Sequence, residues 1–253
     1  MSSSPQAAGI PANSSVLGRL LEEISWEGSN VRGYRDGGRG RENVLTAEVL
    51  APLSYLPRSA FLAGVFRAAH GADAVRERVA REAEEAELTL LPDESRLSAG
   101  GTVVQPDGLI LTPGCRVLVE AKGMGRSSFQ AEQLSREYAC VTRDAGSLLP
   151  MLLLVVPVPP PVPVKGHGRV SVEDAIRLYL ETVAARTSGL DLAVDELGER
   201  IGETVAWITW QEIRTVVASA DGGLGELPSS VAATVRRLRD DVVRAIDWHA
   251  GRS

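Results

Sequence analysis

Hydrophobic and polar positions along this chain repeat in two ways. One is the helical spacing of three and four residues, the other is the continuous or alternating pattern of strands. RENVLTAEVLAPLSYL (41–56) places Val44, Leu45, Val49, Leu50 and Leu53 on one helical face, and Pro52 is expected to end or kink that helix. A short helix is expected over 58–70. DAVRERVAREAEEAEL (73–88) carries only a thin stripe, Val75, Val79, Ala83 and Ala86, which predicts a surface helix. Two strand-like runs follow, VVQPDGLILT and RVLVEAKG, separated by Pro-Gly. SFQAEQLSREYACVTR (128–143) is helical, with Ser127 or Ser128 as its cap. MLLLVV is a candidate buried strand, and 157–168, rich in proline, reads as a loop. SVEDAIRLYLETVAAR opens on a capping pattern from Ser171 to Asp174. Residues 189–201 are read as helix, VAWITW as a strand and QEIRTVVASA as a helix after it. The end is a long amphipathic helix with Val231, Val235, Leu238, Val242 and Ile246 on one face. Helices before, between and after a few strands imply an α/β (α+β) layer architecture around one sheet.

The N-terminal part reads differently. Residues 1–15 lack a basic start and an apolar centre, so they are expected to be a disordered lead-in and not a secretory signal. Residues 16–26 suggest a short amphipathic helix and 28–40 a loop. Residues 16–253 are expected to form a single domain whose C-terminal part, from about 219, is a helical extension. The longest apolar run, MLLLVVPVPPPVPV at 151–164, is interrupted by prolines and too short to span a bilayer. Two cysteines, Cys115 and Cys140, make no disulfide framework, and Cys140 is expected to be buried. A bacterial-type cytoplasm is the expected location.

With 253 residues, 44% of them hydrophobic, the chain has enough apolar material for a sizeable core. Its net charge of −6 does not favour a polyanionic partner in general, but Arg32, Arg35, Arg39 and Arg41 crowd one glycine-rich stretch and Arg236, Arg237, Arg239 and Arg244 crowd the last helix. Of its 27 basic residues only Lys122 and Lys165 are lysine. In so arginine-rich a chain a lysine invites a chemical reason, because a compact ammonium and a planar guanidinium do different work. The histidines His70, His167 and His249 are scattered, and no P-loop pattern is present.

Lys122 lies in QPDGLILTPGCRVLVEAKGMG. Glu120 and Lys122 fall two apart on one face of a strand, with Val117, Val119 and Ala121 on the other. Pro113-Gly114 at the centre of Thr112–Cys115 suits a type II turn. With that register every opposed pair has the same sum of residue numbers as Thr112 and Cys115, which sets Asp107 opposite Glu120. Two opposed carboxylates repel. A divalent cation would justify them, since Mg²⁺ takes one or two carboxylates and keeps several waters. A neighbouring lysine can hold a water or stabilise charge on a phosphate.

Pro106-Asp107 followed by Glu120-Ala121-Lys122 resembles the PD-(D/E)XK motif of the restriction-endonuclease-like nuclease superfamily. The resemblance covers roughly residues 40–218. RENVLT resembles the acid-bearing helix ahead of the sheet in that superfamily, with Glu42 as its acid and Glu48 as the alternative. QLSREY resembles the Gln/Tyr motif of some members through Gln133. Its spacing departs by one residue, and Tyr138 is read as core packing with Leu134 and Val141. VAWITWQEI resembles a late strand and helix of bacterial members.

The resemblance implies a restriction-endonuclease-like central mixed β-sheet flanked by helices, and Mg²⁺-dependent hydrolysis of phosphodiester bonds in DNA, with Mn²⁺ as a possible substitute. Asp107, Glu120 and the Ala121 carbonyl would bind the metal. Lys122 would orient the attacking water, Glu42 would act through water or a second metal, and Gln133 would touch the site or the DNA backbone. The glycine-rich GMGRSS with Arg126 would let a phosphate approach. Restriction or phage defence is the implied setting, with a homodimer or larger defence complex and no membrane. The alternative is a catalytically inactive nuclease-like binding or assembly subunit of a DNA-processing complex.

Overall fold

A computed structural model describes residues 40–98, 102–125 and 128–251, with side chains from residue 43 onward. The expected lead-in, the helix over 16–26, residues 28–39 of the expected loop with Arg32, Arg35 and Arg39, and Arg126 lie outside the described residues. Three helices come first: α1 (Gly40–Tyr55), α2 (Leu62–Ala68) and α3 (Asp73–Arg81). Strands β1 (Glu87–Leu90), β2 (Ser95–Arg96), β3 (Val103–Val104), β4 (Gly108–Leu111) and β5 (Cys115–Ala121) lead to α4 (Ala131–Asp144) and β6 (Leu149–Val156). Then come β7 (Val162–Val164), β8 (Gly168–Val170), α5 (Val172–Ala184), α6 (Val194–Glu199), α7 (Ile201–Thr204), β9 (Val205–Thr209), α8 (Trp210–Ser219) and α9 (Ser229–Ala250).

The main sheet has five strands in the order β1-β4-β5-β6-β9. The first two pairings are antiparallel, while β5–β6 and β6–β9 are parallel. Mixed pairing follows from the connections: a tight turn joins β4 to β5, whereas β6 and β9 are reached through helical crossovers. Helices cover both faces. Val117, Val119 and Ala121 of β5 enter a core built with α1, α2, α3, α8 and α9, and Leu118 enters a second core with α4 and α5. The alternation read from RVLVEAKG therefore holds residue by residue.

Several elements differ from expectation. The charged segment 73–88 is helical only to Arg81; a 3-10 turn at Ala83–Glu85 follows and the chain then enters the sheet as β1. Ala83 and Ala86 are buried there, not along a surface stripe. VVQPDGLILT is two strands broken at Gln105–Asp107, because Pro106 has no N–H for a ladder. The helix after β5 is capped by Gln130 without a side-chain bond, so neither serine candidate caps it. Helix α1 runs through Pro52 for one further turn, to Tyr55. The segment 189–201 is helical only from Val194, and the proline-rich 157–168 holds β7 and part of a β7–β8 hairpin. On α9, Val235, Val242 and Ile246 are buried and Leu238 partly so, but Val231 faces solvent. Ser171 does cap α5 through Asp174 N, and Thr209 with Glu212 forms a full capping box on α8.

The β4–β5 turn is not type II, since Gly114 is outside the left-handed region that type II requires. Glu82 holds it instead: its Oε2 accepts from Thr112 Oγ1 at 2.5 Å and from Gly114 N at 2.9 Å. These bonds, with the Arg78 ion pair, keep the Glu82 carboxyl below its usual range. The register is nonetheless the expected one, running from Leu111–Arg116 to Gly108–Val119. Continued by one step it sets Asp107 beside Glu120.

Gly71 illustrates how tightly the edge of the sheet is built. It has φ of +79°, and a Cβ there would lie 2.5 Å from the Val205 carbonyl oxygen, next to the His70–Trp207 bridge on β9. Gly71→Ala is expected to destabilise the fold by about 1–3 kcal/mol or more. A thermal unfolding curve checks this, and an unshifted midpoint would contradict the close approach.

Candidate functional site

Four of the sequence-predicted residues, Asp107, Glu120, Lys122 and Gln133, come together where β5 ends. Glu120 is the last inward residue on the α4 face of the strand, and Lys122 follows as the chain leaves it. Their side chains are 11% and 4% exposed for Lys122 and Glu120 respectively, and Lys122 Nζ lies 2.7 Å from Glu120 Oε1. Gln133, one turn into α4, donates from Nε2 to the same Glu120 oxygen at 2.9 Å. Asp107 Oδ2 accepts from Ala121 N at 2.7 Å, and Asp107 O accepts from Leu91 N at 3.0 Å. Asp107 and Glu120 thus flank Ala121, one bonded to its backbone and the other preceding it in the strand.

Both predicted acids here meet hydrogen-bond donors. Glu120 is met by an ammonium and an amide, and Asp107 by a backbone N–H. The pair needs this support, because a buried ion pair loses hydration that its mutual attraction alone does not recover. Lys122 is further fixed from three sides. Its N–H donates to Val155 O on β6 at 2.9 Å, its carbonyl accepts from Trp210 Nε1 at 2.7 Å, and its ammonium lies 5.3 Å from the centre of the Phe129 ring. The last contact is within cation–π range.

Glu137 was missed from sequence. It is 1% exposed, and its Oε1 accepts from Gln133 Nε2 at 2.8 Å. Its Oε2 is buried with no hydrogen-bond partner. Burial first, and the neighbouring Glu120 charge second, push its carboxyl well above the ordinary range. A protonated Glu137 turns the orphan oxygen into a donor beside Glu120. The signal was present in QLSREY: residues four apart share a helix face, so Gln133 faces the site together with Glu137 and not Tyr138. Tyr138 turns instead into the second core with Leu134 and Val141, where its hydroxyl donates to Leu197 O at 2.6 Å.

The two helix acids stand apart. Glu42 belongs to α1, but its side chain is outside the described ones. Glu48 is half exposed on the same helix, with Oε2 3.0 Å from His249 Nε2 on α9. Helix α1 itself packs beneath the site, for a Cβ on Gly108 would lie 3.5 Å from Leu50 Cδ1. Cys140 is buried, and its thiol is pushed up to about 11, chiefly by burial.

Among the described residues no cluster of three or more His, Cys, Asp or Glu converges as a ready cage for a metal. The donors that remain here are two carboxylates and a backbone carbonyl. Oxygen donors of this number and hardness suit Mg²⁺ bound with several waters, and the set holds none of the Cys or His ligands that zinc sites favour. No helix among the described residues is long and apolar enough to cross a membrane. No family model, curated protein or solved structure shows a significant match to this chain.

Two outcomes follow from this geometry. Glu137 keeps its proton in the fold and releases it on unfolding, so stability falls as pH rises above 4.5, the ordinary glutamate value, until the folded group ionises too. Glu137→Gln is expected to remove that slope and to stabilise the metal-free protein by about 1–3 kcal/mol at neutral pH. Denaturant titrations at acid and neutral pH read the difference, and a Gln variant that loses stability at neutral pH would overturn the protonated assignment. Trp210→Phe removes the indole donor from the Lys122 carbonyl and is expected to cost about 1–3 kcal/mol, read from the same titrations.

Proposed function

We propose that the chain is a metal-dependent nuclease that hydrolyses phosphodiester bonds in DNA. The observation that carries this reading is the convergence of Asp107, Glu120, Lys122 and Gln133 at one end of β5, in the register that the Pro-Asp and Glu-Ala-Lys pattern demands. A mixed sheet flanked by helices is compatible with the restriction-endonuclease-like fold that the motif implies. Asp107, Glu120 and the Ala121 carbonyl would hold Mg²⁺, which when bound would supply positive charge at the phosphate. Mn²⁺ is the natural substitute.

The chain's own residues divide the remaining work. Lys122 Nζ, positioned by Glu120 and Phe129, orients the attacking water and adds charge near the phosphate. Gln133 fixes the Glu120 carboxylate so that the acid does not rotate away. Trp210 and Val155 hold the Lys122 backbone, which leaves only the side chain to move. Glu42 belongs to the proposal as an outer acid. Restriction or phage defence, with a homodimer or larger complex supplying specificity, is the setting that goes with it. A nuclease-like subunit without activity is the second reading, favoured by the Lys122–Glu120 ion pair, which gives both groups a structural partner without any metal.

Cleavage of supercoiled and linear DNA with Mg²⁺, Mn²⁺ or EDTA separates the two. The wild type is expected to cut in either metal and not in EDTA. Lys122→Ala is expected to lower the rate by about 10²-fold or more while leaving Mg²⁺ binding by calorimetry detectable. Asp107→Ala and Glu120→Ala are expected to lose both. Undiminished cutting by Lys122→Ala would remove the site assignment, and Mg²⁺ binding without cutting by the wild type would favour the inactive subunit.

A further inference from the structure

The β7–β8 hairpin stands directly beside this site. Its strands pair from Val162–Val170 to Val164–Gly168, and Val162 and Val164 are buried in the second core. Two backbone bonds tie it to the loop leaving β5: Phe129 N donates to Pro163 O, and Lys165 N donates to Phe129 O, both at 2.9 Å. Phe129 is the residue whose ring lies against Lys122 Nζ. One residue therefore joins the root of the hairpin to the ammonium of the site.

The tip reads Lys165-Gly166-His167-Gly168-Arg169, and all five residues are exposed. Gly166 and Gly168 have φ of +81° and +74°, which suits glycine, and a Cβ at either would meet no atom within 4 Å. The side chains of Lys165 and Arg169 make no hydrogen bond or ion pair with a described residue. Asp174, in the first turn of the next helix, is engaged by Arg177. Elsewhere on this acidic chain arginines are commonly neutralised, as Arg214 is by Asp247 and Arg239 by Asp240. Here two basic side chains and a histidine stand in open solvent on a turn anchored at its root, next to a cluster of acids that would otherwise repel a polyanion.

We propose that this hairpin is the arm that docks the DNA sugar-phosphate backbone beside the Asp107–Lys122 site, with Lys165 and Arg169 each contacting a phosphate. The proposal rests on the nuclease reading for its choice of ligand. Phosphate contacts of this kind position a duplex without reading its sequence. The anchoring through Phe129 fixes the distance between the docked backbone and Lys122.

Binding of a labelled DNA duplex to the full chain tests this, with Ca²⁺ in place of Mg²⁺ so that binding is read apart from cutting. Lys165→Glu/Arg169→Glu is expected to weaken affinity roughly tenfold or more and to reduce the slope of log K against log salt by about 1.8, the loss of two phosphate contacts. Arg236→Glu/Arg237→Glu changes net charge equally but lies on α9, across the sheet, and is expected to leave both readings near wild type. Lys165→Gln/Arg169→Gln, with melting curves on all variants, guards against a folding defect. Equal weakening by both glutamate pairs, no weakening by either, or no DNA binding by the wild type would overturn the arm. Hairpin-dependent binding by a wild type that never cuts would keep the arm and remove the nuclease. Cutting with binding indifferent to the hairpin would do the reverse.

Discussion

A buried ammonium against a buried carboxylate, Lys122 on Glu120 at 2.7 Å, is the interaction around which the end of β5 is organised. Neither group would choose that position for stability. A well-packed pair of apolar residues generally serves a core as well as an ion pair or better, since both charges lose their water. The surroundings are accordingly built to make the pair tolerable. Gln133 donates to the Glu120 oxygen that Lys122 already holds. Glu137, next along that network, is best kept neutral, because a second negative charge beside Glu120 would have no cation of its own. A polar network of this kind has stakes on every member: complete, it fixes one arrangement, and incomplete, it costs more than an apolar core.

The sheet supplies what side chains alone could not. β5 is the middle strand, paired on both sides, so its last residues cannot fray as an edge would. The antiparallel partner β4 delivers Asp107 to Ala121, and the parallel partner β6 holds Lys122 N through Val155. Helix α4 returns over one face and brings Gln133 and Glu137, while α8 follows β9 and brings Trp210 to the Lys122 carbonyl. Four segments thus converge on three consecutive residues, Glu120, Ala121 and Lys122. The turn between β4 and β5 is fixed from outside by Glu82, which explains how the register survives although the turn is of a different type from the one that Pro-Gly suggests.

Legibility in the sequence followed the range of the forces involved. Strand alternation in RVLVEAKG depends on local geometry, and it placed Val117, Val119 and Ala121 in one core and Glu120 on the other face correctly. The β4–β5 register was read from a type II turn that the structure does not adopt, and it holds because the loop keeps the same length and Glu82 fixes it from outside. Strand β1 was not, because EAELTL continues a charged helical pattern and becomes a strand only by pairing with β4, a tertiary decision that outweighs propensity. The β7–β8 hairpin was hidden by its prolines: Pro163 sits in a three-residue strand paired in this sheet only with β8, where a missing N–H is tolerable. Glu137 lay in view in QLSREY, four residues after Gln133 on the helix face that spacing defines, but the Gln/Tyr motif contains no such acid. Glu42 was named from sequence, and its side chain falls outside the described ones.

The two lysines of this chain now share one neighbourhood, since the backbone of Lys165 bonds to Phe129 and the ring of Phe129 faces Lys122. Their settings differ sharply, and so do the reasons an arginine would serve less well. At 122 the cation must be small enough to fit between Glu120 and an aromatic face, in a pocket already crossed by the Gln133 amide. A guanidinium there would present five donors in a fixed plane, more than the buried acceptors could satisfy, and would stay charged whatever its surroundings. At 165 nothing is crowded, and a solvated point charge on a flexible stem suits contact with a phosphate whose position varies. Arg169, on the other strand of the same turn, shows that the surface position accepts either cation. The selective pressure of geometry therefore falls on Lys122, where size and donor count matter, and it is that residue, more than the exposed arm, that the buried acids around it are arranged to hold.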